Sequence, residues 1–61
     1  MRTQNIENLT YLIEGDNVPI AKLIRVYQRK SYALKFAETN SKYFVQGFPD
    51  TTKLIGVWEK L

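Results

Sequence analysis

The stretch NVPIAKLIRVYQRKSYALKFA, residues 17–37, decides how the chain is read, because it holds five cations (Lys22, Arg25, Arg29, Lys30 and Lys35) and no acid. It also carries two apolar periods. Ile20, Leu23, Ile24 and Tyr27 recur at i, i+3, i+4 and i+7, the spacing of one helix face, and place Lys22, Arg25 and Arg29 together on the opposite face. Pro19 suits the first turn of such a helix, with Asp16 or Asn17 as its cap. Near Arg29–Ser31 the period shortens. Tyr32, Leu34 and Phe36 then alternate with Ala33, Lys35 and Ala37, as in a half-buried strand.

Working outward, residues 4–14 set Ile6, Leu9, Leu12 and Ile13 on one side of a helical wheel, with Gly15 where a helix needs a left-handed residue after its end. Thr39-Asn40-Ser41-Lys42 is the strongest turn signal. The aromatic run Tyr43-Phe44-Val45-Gln46-Gly47-Phe48 follows it, so residues 32–48 read as a β-hairpin with Asn40-Ser41 at its tip. With Asp50 as N-cap, the last segment places Leu54, Val57, Trp58 and Leu61 on one helical face, although Ile55, Gly56 and Val57 also suit a strand.

The favoured fold is therefore α+β: two N-terminal helices in a helix-turn-helix-like corner, a β-hairpin wing and a C-terminal helix. The alternative is all-β, an SH3-like barrel of five strands at roughly 9–14, 20–28, 31–38, 43–48 and 54–60. Either way, 61 residues make a single small domain, held by packing alone because cysteine and histidine are both absent.

That composition excludes a thiolate zinc site and histidine chemistry, and no metal or cofactor is expected. No carboxylate pair has a spacing that fixes two acids in one cleft, and Ser31 with Lys35 is the sole nucleophile–base pairing to be drawn. The expectation is a binding protein rather than an enzyme. No apolar stretch is long enough for a membrane span, and no apolar region follows Met1–Asn5, so a cytoplasmic protein is expected.

The basic segment points to nucleic acid. Lys22, Arg25, Arg29 and Lys30 on a helix would set charge against phosphates, Gln28 would reach a base edge, and Lys35 would contribute from the hairpin. In that hairpin Tyr43, Phe44 or Phe48 would offer a stacking surface, with Lys35 and Lys42 beside it. The chain thus reads as a small nucleic-acid-binding regulator. The alternative is an inhibitor or adaptor that docks on a protein target through exposed aromatics, which would also suit a homodimer.

Overall fold

The computed structural model describes residues 1–49 and 51–61, and its architecture is mainly β. Five strands, β1 (Arg2–Ile6), β2 (Leu9–Glu14), β3 (Val18–Tyr27), β4 (Tyr43–Gly47) and β5 (Ile55–Lys60), form one sheet in the order β1-β2-β3-β5-β4, every neighbour antiparallel. One helix, α1 (Lys30–Ala37), lies between β3 and β4 in sequence and packs on β3, β4 and β5.

These elements overturn the helix-rich expectation. Residues 4–14 form most of a hairpin, β1 and β2, joined by a two-residue turn in which Glu7 and Asn8 both have positive φ, 52° and 70°. That is the geometry of a type I′ turn, whose twist matches that of paired strands. Neither residue is glycine. Asn8→Gly should raise stability by up to about 1 kcal/mol, since left-handed backbone is disfavoured by roughly that much in residues with a Cβ; the urea midpoint checks it.

Gly15, at φ 58°, opens the next reversal rather than closing a helix, and Asn17 follows at φ 67°. The Arg2 guanidinium on β1 holds this loop by donating to the Asn17 side-chain oxygen and the Gly15 carbonyl. The supposed recognition helix is β3. Its helical spacing arises because register shifts interrupt the strand's alternation, one opposite Leu12/Ile13 near Pro19 and one between Leu23 and Arg25. Val18, Ile20, Ile24, Val26 and Tyr27 are residues that fit a pleated surface.

The strand expected at residues 32–36 is α1 instead. From Arg29 to Glu38 there is no β-branched residue, while Ala33, Leu34, Lys35 and Ala37 favour helix. Ala33, Phe36 and Ala37 turn toward the sheet, with Ala33 fully buried. Asn40-Ser41 is still a reversal, with the Asn40 side chain accepting from the Lys42 amide at 2.9 Å, but it joins a helix to a strand, not two strands. The C-terminal segment is β5, not a helix; the N-cap assigned to Asp50 lies outside the described residues. Of the two architectures, the all-β one is the closer, with β1 added and α1 in place of its third strand.

Cross-strand partners share a face. Leu23, Trp58 and Phe44 stand abreast on one face, and Arg25, Val57 and Val45 on the other. Trp58, Leu12 and Ala21 form a fully buried cluster on the first face, packed with Ile20, Leu23, Phe44 and Phe48. The Trp58 Nε1 donates to the Gln46 carbonyl at 3.0 Å. Of the residues expected on one face of a C-terminal helix, Val57 and Trp58 are fully buried but on opposite faces of the sheet, and Leu61 is exposed. At the open side of the sheet, Met1, Arg2 and Thr3 share a shallow hollow with Pro49, just past β4. The second face is the one α1 covers.

Candidate functional site

A strand alternates its side chains, so residues 22 and 25 of a regular strand would point to opposite faces. The irregularity at Ile24 removes one step of that alternation. Lys22, opposite Glu59, and Arg25, opposite Val57, consequently share the face covered by α1. Lys22 is half-buried and its Nζ lies 3.7 Å from the Glu59 carboxylate, the one ion pair among the described residues.

Arg25 is exposed, and its guanidinium carbon lies 5.0 Å from the centre of the Phe36 ring. That is within cation–π range. Phe36 also stacks nearly parallel to Tyr43, with centroids 5.6 Å apart and planes at 14°, and meets Tyr27 at 6.2 Å and 46°. The helix thereby inserts one ring between two strand tyrosines and beneath a cation.

Arg29 and Lys30 begin α1, and both are exposed. Arg29 occupies the N-cap position with extended φ and ψ (−119°, 130°), yet makes no side-chain capping bond. It cannot, because a guanidinium has donors only. The first turn holds no acid, so two cations stand at the positive end of the helix dipole. Lys35 is in the last turn, where the dipole favours it.

Lys35 also lines an open hollow of about 300 Å³ with Tyr27, Tyr32, Phe36 and Thr39. Its walls are chiefly aromatic. Tyr32 is 57% exposed, the most accessible of its rings.

The structure thus brings Lys22, Arg25, Arg29, Lys30 and Lys35 onto β3, the start of α1 and the helix itself, but not onto one helical face. Lys22 is engaged by Glu59, and replacing it with Glu would set two carboxylates together. Gln28 is exposed in the short link from β3 to α1. The expected hairpin platform does not form: Phe44 and Phe48 pack with Trp58 and only Tyr43 faces α1. Tyr27, Tyr32 and Phe36 supply the aromatic surface instead. Their i, i+4 spacing from 32 to 36 was the available signal, masked by the i, i+2 reading of the same residues.

Among the described residues no three acids gather as a metal site would need, and no helix is long and apolar enough to cross a membrane. Compared with protein-family models, curated proteins and solved structures, the chain matches none.

Proposed function

We propose that this protein acts by binding nucleic acid in the cytoplasm, with Arg25, Arg29, Lys30 and Lys35 meeting phosphates and Lys22 held back by Glu59. The observation that carries the reading is the state of the α1 N-terminus. Arg29 occupies the N-cap, where Asp, Ser or Asn would stabilise the helix, and Lys30 follows it in a first turn without acids, in an eight-residue helix that has little stability of its own. A local choice that opposes the fold is accounted for when function needs it. Phosphate oxygens supply the negative charge that the first turn lacks. Arg25 and Lys35 extend the same charge, and none of the four forms a salt bridge among the described residues. A duplex-reading helix is no part of this proposal, since Lys22 and Arg25 lie on a strand.

Fluorescence anisotropy across a salt series tests it. Four phosphate contacts give a log–log slope of about −3 on a single strand and about −3.6 on a duplex, through counterion release. In Arg29→Asp/Lys30→Glu the single-strand slope should fall to about −1.5. The same variant should be more stable than the parent by about 1 kcal/mol, because Asp can cap the helix. Opposite signs for binding and stability separate a functional loss from a folding defect. If the parent shows no binding even at low salt, the proposal fails, and docking on a protein through Tyr32 and Leu34, exposed on α1, becomes the better account.

A further inference from the structure

The hollow beside α1 differs from a general phosphate-binding surface in one respect: three of its five lining residues, Tyr27, Tyr32 and Phe36, are aromatic. We infer that it receives a single unstacked base, making single-stranded nucleic acid the ligand. This rests on the nucleic-acid reading above and specifies it.

Three features support that occupant. The first is the chemistry of the walls. A base presents two π-faces and stacks on exposed tyrosine regardless of its identity, whereas bases within a duplex already stack on one another and have no face to offer. Tyr27 and Phe36 are half-buried and fixed by contact with each other, leaving Tyr32 as the accessible ring.

The second is charge. The lining residues carry one positive charge, from Lys35, and no negative one, while Arg25 lies over the Phe36 ring. A planar ring tethered to a phosphate matches this combination; an apolar peptide side chain satisfies the rings and leaves the cations unused. The third is size. A hollow of about 300 Å³ lies at the small end of ligand sites, suited to one ring system and not to a docked helix. The Thr39 hydroxyl donates to the Phe36 carbonyl at 2.7 Å and is left to a base only as an acceptor, while stacking on the rings is indifferent to base identity. Binding should be tolerant of sequence.

The test compares a labelled thymidine oligomer of about twelve nucleotides, within the usual range of single-strand site sizes, with a hairpin duplex of equal phosphate number. Each is titrated by anisotropy at low and at physiological salt, using the parent, Tyr32→Ala and Tyr32→Phe. Tyr32 is surface-exposed and alanine is the better helix former, so Tyr32→Ala is expected to fold. Loss of one stacked base should weaken single-strand binding about 5- to 150-fold. Tyr32→Phe should restore it, and the duplex affinity and both salt slopes should stay within error of the parent. If Tyr32→Ala binds the oligomer as tightly as the parent, or loses duplex affinity to the same degree, the base-binding role is overturned while the phosphate-binding reading stands. If the parent binds neither oligomer nor duplex at low salt, both fall together.

Discussion

Trp58→Ala is expected to leave the protein largely unfolded at room temperature. The indole is fully buried against Leu12 and Ala21, and its ring N–H is satisfied by the Gln46 carbonyl. Truncating an aromatic of this kind costs about 3–5 kcal/mol, the transfer term plus the cavity left behind. A hydrophobic core in a chain below about 70 residues rarely supplies more than 3–5 kcal/mol in total. One substitution therefore removes most or all of the margin. Loss of the cooperative urea transition, followed by far-ultraviolet circular dichroism, checks the result. Trp58→Phe separates the contributions: it retains much of the packing but drops the donor to Gln46, and should cost less.

The second large effect is expected at Gly56, two residues before Trp58 on β5. A Cβ placed there would lie 2.5 Å from Trp58 Nε1 and 2.8 Å from Cε2, with Leu23 Cδ1 at 3.1 Å. The nearest atoms belong to the indole, which is anchored by its hydrogen bond and by Phe48, whose ring centroid is 5.4 Å away. The ring cannot swing aside without losing both. Gly56→Ala should accordingly destabilise by about 1–3 kcal/mol, the usual range for overpacking. Tryptophan emission should shift to longer wavelength if the indole is displaced toward water. By contrast Gly47→Ala, with open space around its Cβ, should be nearly silent.

The limits of legibility fall at particular residues. Tyr43–Gly47 was readable as a strand because its β-prone run is uninterrupted. Trp58 was readable as core because a small chain has so few large side chains to bury. β3 was legible only in the all-β alternative, as a strand at 20–28, because the irregularity near Ile24 lets apolar residues fall at helical intervals, and periodicity alone cannot detect a bulge. Two weaker signals stood beside it: β-branched residues crowd positions 18–26 and are absent from 29–38. Given more weight, that contrast exchanges the assigned helix and strand.

The site shows the same division. The five cations are evident in the one-dimensional order, whereas the partnership of Arg25 with Phe36 depends on a helix returning over a strand. Lys22 and Glu59 lie far apart in sequence, and only the β3–β5 register brings them together.

The position of β5 between β3 and β4 also governs the order in which the fold is assembled. β1, β2 and β3 join through short reversals and need nothing downstream to pair, whereas β4 hydrogen-bonds only to a strand synthesised after it. During translation, α1 can pack on β3 but β4 emerges without a strand to pair with, and the Leu12–Ala21 side of the core waits for the indole of β5. β5 is thus the strand that unites the β1–β2–β3 meander with β4, and its pairing closes the sheet. A nascent chain stalled before Trp58 would expose Phe44 and Phe48 together, and addition of β5 completes the sheet and the core in the same step.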